Sequence, residues 1–406
     1  MKHYFRLSLV VITLFPVLSC NSQDKPGTKT TTASKAKSSA TFVEGKDYTE
    51  FVRARVLDRQ GFSQPAEAFS LLIPKGWAFD GGVMWYQPGT ACAGNNAGVK
   101  ATSPDGKFIL DMLPNYMWSF STTQQLVPFD PGNNKYCAWG EPMNAEAYFK
   151  NVFLRNELSN AEVISLNANP GGIQALEENN GRARQELMRY GASQVNFYPS
   201  SIHAKVKWSN GSEAIVILGV NIIETFIPNP YNGTTSKSFT SSATNRVVFV
   251  HPPGESERAA NMLSVMMSSV RTNTAWKKYV DDFWLNVRQQ RHVAHIGTIK
   301  MLDDQTRAIG NAAIKQGQQN LDNMDSRMRS WEATQQSNDR THTNFIKTIR
   351  EVETYRDETG RIELNSGYNH AWSRSDGTSF IMSDNPNFDP SSVYQDNRWK
   401  EMKKVQ

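Results

Sequence analysis

Cysteine is scarce, with three residues in 406. Zinc ribbons and disulfide-dense secreted folds need paired or clustered cysteines, so neither fits. Charge of one sign is missing too. Lys and Arg total 44 against 39 Asp and Glu, spread along the chain, whereas a nucleic-acid-binding face concentrates basic residues. Beyond the first 20 residues no segment approaches the ~18 uninterrupted apolar residues of a spanning helix. No HExxH, Walker A loop, paired CxxC, Gly-x-Ser-x-Gly elbow or glycine-rich dinucleotide turn occurs. No cofactor is implied.

What is present begins at Cys20. It ends a run with Lys2 and Arg6 at the front, an apolar stretch from Leu7 to Leu18, and Ser19. The apolar part is too short to span a membrane and is interrupted by Pro16. Val17-Leu18-Ser19-Cys20 resembles a bacterial lipobox. That resemblance implies a diacylglyceryl thioether on Cys20 and an amide-linked acyl chain, such as palmitate, on the new N-terminus. Leu18 is larger than the pattern prefers, and the preferred Leu is absent three residues before the cysteine. The bland alternative is an ordinary secretory signal. Acyl chains anchor firmly, because each buried CH₂ contributes roughly 0.8 kcal/mol. Cleavage would remove Lys2 and Arg6 but no acid, leaving a mature chain of about +3. Asn21 lacks the Asp that retains some lipoproteins in the inner membrane, which points to the outer membrane if the source is Gram-negative.

Residues 21–44 are rich in Thr, Ser, Lys and Ala. They cannot bury enough surface to offset ordering entropy and read as a tether with a reach of about 27 Å. Residues 45–274 read as an α+β domain. Strands are expected near 51–57, 68–73, 161–166 and 246–250. Asp105-Gly106 and Asn210-Gly211 predict hairpins. Helices are expected over 144–158, 173–190 and 256–271. The outcome would be an antiparallel sheet covered by helices on one side. The phrase from Phe69 to Trp77, an apolar strand followed by Pro74 and Gly76-Trp77, resembles the opening of a PsbP-like domain. That implies an α/β/α sandwich and no particular activity.

Residues 275–352 predict a helical arm. Leu321, Met324, Met328, Trp331, Gln335, Asn338, His342, Phe345, Ile349 and Val352 follow a coiled-coil spacing. The stripe Val280, Phe283, Val287 and Ala294 offers a partner helix; a second copy of the chain is the rival. Residues 353–406 predict a small β meander and tail that resemble a segment of uncharacterised bacterial envelope proteins.

Candidate sites are few. Cys92 and Cys137 are 45 residues apart and read as a disulfide in an oxidising compartment, against two buried thiols. Trp85 and Tyr86, joined by Tyr116 and Trp118, are candidates for an aromatic ligand cleft, against plain core packing. In a strand, Trp85 shares a face with Val83 and points away from Tyr86. His292 and His295 have a spacing that can chelate a metal, but lack a clear third ligand, and solvated histidines fit better. His251 has no nucleophile beside it and reads as a loop-edge histidine. Glu177-Glu178 and Asp281-Asp282 read as solvated helix faces. The expectation is a lipid-anchored envelope protein that binds or scaffolds without catalysis. Its partners would be the membrane and an envelope protein or second copy, without nucleic acid. The alternative is an envelope hydrolase with its site in the aromatic cleft.

Overall fold

The computed structural model describes residues 42–86, 92–122, 135–178, 180–189, 192–228, 234–291, 353–357, 363–394, 396 and 398–405. Strands come first: β1 (Thr49–Asp58), β2 (Ala66–Pro74), β3 (Ala78–Tyr86), β4 (Gly94–Thr102), β5 (Ile109–Leu113), β6 (Tyr116–Ser121) and β7 (Cys137–Trp139). A helical stretch follows as α1 (Ala145–Tyr148), a π-helical turn (Phe149–Phe153) and α2 (Leu154–Asn156). Then come β8 (Glu162–Ala168), α3 (Pro170–Glu177) and α4 (Asn180–Arg189). Three long strands form the centre, β9 (Gln194–Lys207), β10 (Glu213–Pro228) and β11 (Thr235–His251). α5 (Ser256–Ser268), β12 (Arg271–Thr272) and α6 (Thr274–Arg291) follow. The last elements are β13 (Glu353–Arg356), β14 (Glu363–Ser366), β15 (His370–Arg374), β16 (Ser379–Ser383), α7 (Pro390–Tyr394), β17 (Trp399–Glu401) and β18 (Lys403–Val405).

Local chemistry explains the turns and helix starts. Gly106 and Gly211 take φ of 71° and 87° between β4 and β5 and between β9 and β10, values that cost glycine nothing. Asn144 caps α1 by accepting the Ala147 N–H at 2.9 Å. Asn169 caps α3 at Gly172 N, and Pro170 occupies the first helical position.

The expected α+β layout is overturned. Fifteen strands join one sheet in the order β17-β15-β16-β1-β3-β4-β5-β11-β10-β9-β8, with β2 and β12 branching from β1 and β6 and β7 from β11. It is mixed, because β1–β3 and β6–β7 run parallel. This is not the helix-covered antiparallel sheet of a PsbP-like sandwich. β10 shows why one-sided cover fails. Its run Ala214–Val220 is apolar almost throughout and buried on both faces. Ile215 and Ile217 face one core with α5 and α6, while Ala214, Val216 and Leu218 face a second core with α1 and the π turn. A continuous apolar strand signals cover on both sides, whereas alternation signals one.

The C-terminal strands, too few to fold alone and so expected to dock on the helices or the main domain, contribute β15, β16 and β17 to the main sheet. β16 pairs with β1 from Thr49↔Met382 to Val52↔Ser379, and the described residues belong to a single compact unit. β13, β14 and β18 make a separate three-stranded sheet. No long helical arm is evident among the described residues. α6, expected to begin it, buries Trp276, Tyr279, Val280, Phe283, Trp284 and Val287 in the first core. The apolar stripe was legible, but periodicity does not say what covers it. The seam from Leu321 to Val352 lies outside the described residues.

Candidate functional site

The four aromatic candidates do not form one cleft. Trp85 is buried in the first core with Val83, 5.5 Å from the Phe283 ring and 6.0 Å from Trp284. Its indole N–H donates to Asp58 Oδ2 at 2.8 Å, and Trp276 donates to the same oxygen at 2.9 Å. The other oxygen of Asp58 accepts the backbone N–H groups of Gln60 and Gly61 at 3.0 and 2.8 Å. Four donors converge on a carboxylate with 0% exposure, which is how a buried charge is kept without loss. Tyr86 points the other way, its hydroxyl 3.8 Å from Met84 Sδ. Trp118 lies in the second core, stacked on Tyr148 at 5.2 Å, with Tyr116 6.1 Å away.

Around Trp118 the structure shows a group invisible in the sequence. β11 carries a bulge: Asn245 and Arg246 lie between the pairs Gly219↔Thr244 and Ile217↔Val247, and Asn245 has φ 48°. A bulge re-aims side chains. Arg246, 1% exposed, enters the second core. Its Nη2 donates to Glu157 Oε1 at 2.6 Å, its Nη1 donates to the Pro114 carbonyl, and its Nε has no partner. The guanidinium lies over Phe153, Tyr116 and Tyr136 at 5.2, 5.7 and 5.8 Å. Burial raises the Tyr148 hydroxyl well above its ordinary value, with Arg246 opposing. Burial also raises the Asp111 carboxyl, against Lys100. This cluster fastens the helical stretch to the sheet.

A second group of polar residues gathers around Asp384, which lines two pockets. Residues 43–49 hook back onto the C-terminal strands. Ser383 Oγ donates to the Asp47 carbonyl at 2.5 Å, and Asn385 Nδ2 donates to Asp47 Oδ1 at 3.2 Å. A pocket of about 310 Å³ opens between this hook, the start of α5, Tyr368 and Asp384. A wider groove of about 790 Å³ lies beyond, walled by Tyr355, His370, Asp384, Glu401, Lys403 and Lys404 among others. Asp384 lines both. Its Oδ1 accepts from Asn369 N at 2.9 Å and Asn369 Nδ2 at 3.1 Å. Tyr355 donates its hydroxyl to the Tyr368 carbonyl at 2.8 Å, joining the two walls.

Cys92 and Cys137 form a disulfide, with the sulfurs 2.09 Å apart. His251 Nδ1 is 2.8 Å from the Pro252 carbonyl oxygen. Cys20, His292 and His295 lie outside the described residues. Among the described residues no three His, Cys, Asp or Glu side chains are placed to hold a metal ion, and no helix is long and apolar enough to cross a membrane. Asp384, Tyr368, Arg258 and Arg246 were missed in the sequence. Each stands in ordinary local context and gains its meaning from contacts made far along the chain. Comparison with protein-family models, curated proteins and solved structures gives no match.

Proposed function

We propose that this chain is an envelope lipoprotein, anchored through Cys20, whose body binds a partner or ligand without catalysis. The observation that carries this reading is the pair of clefts sharing Asp384, with the smaller one walled by residues 45–49, where the tether joins the body. The disulfide supports an oxidising compartment. Two of the buried carboxylates, Asp58 and Glu224, have both oxygens engaged by donors from the fold itself, which fits a structural role at those positions.

The test places a photo-crosslinking amino acid at Lys404, in the groove, and at Glu146, an exposed control on α1. In intact cells, Lys404 should give defined adducts in the membrane fraction and Glu146 should not. The Cys20→Ala variant should leave that fraction or accumulate as precursor. Equal labelling at both positions defeats the binding role, and unchanged fractionation defeats the anchor.

A further inference from the structure

We propose that His203 is an acid-sensitive catch, whose protonation lifts α3 and α4 from the sheet and uncovers the face of β9 and β10 beneath them. This goes beyond the binding reading and stands without it.

His203 sits on β9, opposite Ile217 on β10 and Asn167 on β8, and shares the first-core face with Ile217. It is 9% exposed, and its Nε2 is buried with no hydrogen-bond partner. The row across the sheet at this level is Asn167, His203, Ile217 and Val247, without a charge. The next row adds Lys205 to Ser165, Ile215 and Phe249. Glu162, Lys207, Glu213 and His251 make the row after that, roughly 13 Å from His203 at ~3.3 Å per residue and past a Debye length. On the helices above, Ser256 of α5 meets Lys205 Nζ at 3.4 Å, Glu257 is exposed, and Arg258 lies over Phe108. Glu177 and Glu178, at the far end of α3, are exposed, and Arg182, Arg184 and Glu186 belong to α4 over the distal strands. Among the described residues, a protonated imidazole here meets a cation before any carboxylate.

Burial holds the imidazole below its ordinary value of 6.5, and Lys205 adds to the effect. A histidine lowered in the folded state leaves stability intact above 6.5 and withdraws it as pH falls below that value. α3 and α4 are the elements placed to yield. α3 has eight residues, too few to persist as a helix by itself. It follows Asn169, whose N–H donates to the Ser201 carbonyl at 2.9 Å, close to His203 along β9. From Asn180 to Met188, α4 buries no side chain. It is held by Asn221 Nδ2 donating to Asn180 Oδ1 at 2.7 Å and by Arg184 over Phe197 at 5.3 Å. Elements with few buried contacts open at the lowest cost. Once lifted, they leave Val195, Phe197 and Ile223 uncovered on one face of β9 and β10.

The test is amide hydrogen exchange read by mass spectrometry on the purified full chain, at about pH 7.5 and about pH 5, with labelling times scaled for the intrinsic rate. Both values lie above the range in which the Glu224 carboxylate is lost. Exchange across residues 170–189 should rise at least about 3-fold on acidification, while residues 49–74 of β1 and β2 stay unchanged. His203→Gln, which cannot take up the proton, should be equally protected at both pH values. Asn167→Asp is the second variant, at an exposed position directly opposite His203. It supplies the missing carboxylate and should remove most of the rise, so the proposal stays testable if His203→Gln does not fold. No rise in the native chain, a rise shared by β1 and β2, or a full rise in either folded variant overturns the proposal.

Discussion

Two buried carboxylates in this protein are surrounded by donors on both oxygens. Asp58 is the clearest case, with two indoles and two backbone N–H groups on one carboxylate. Glu224 repeats the device on the distal half of β10. Burial by itself would raise its carboxyl, but hydrogen bonds from Asn196, Lys237 and Tyr198 outweigh that and hold it at about 2. A carboxylate held low in the folded state contributes stability that is complete above its ordinary value of 4.5 and is lost as pH falls through about 2. Glu224→Gln is therefore expected to lower the unfolding midpoint at pH 6, with the gap from the native chain closing between about pH 4.5 and 2. Urea titrations of both proteins across that range read the effect, and a gap independent of pH would show that the charge contributes nothing. In the sequence Glu224 is one acid in an apolar strand. Its partners sit on β9 and β11, so its role follows only from register.

At the scale of elements, what the sequence disclosed was local. The two hairpins were legible at Asp105-Gly106 and Asn210-Gly211, because the chain must enter φ > 0 there and glycine permits it. α5 was legible because Ala259, Met262, Leu263, Val265 and Met266 recur at helical spacing. β6 and β7 were not, since their partners lie in β11 and in each other, far from any turn signal. The same division applies to α6, whose stripe was readable and whose partner was not. Phe283 now provides the check. It is buried against Trp85 and Trp284, so Phe283→Ala should cost about 3–5 kcal/mol in equilibrium unfolding. A cost within about 0.5 kcal/mol would mean that α6 leans outward as an arm after all. The candidate site was less legible than the fold, because Tyr368, Asp384 and Arg258 meet only after α5 and the C-terminal strands dock.

At the scale of the molecule, the first strand and a strand near the C-terminus are neighbours in one sheet. Phe51 and Phe380 are opposite each other and both fully buried. A chain ending after Val352 would lose β16 from the edge of β1, uncovering a row of unpaired backbone groups beside Phe51. It should aggregate or elute as a broad, multimeric species in size exclusion. A monomeric truncated chain that unfolds in one transition would show instead that the C-terminal strands are dispensable.

The closure of β1 by β16 also sets a clock on biosynthesis. Phe380 leaves the ribosome roughly 330 residues after Phe51, which at ~5–20 residues per second is about 15–65 s. Throughout that interval β1 can pair with β2 on one edge, while its other edge at Thr49–Val52 waits for β16. The protein's yield in the cell depends on whatever guards that edge until translation ends.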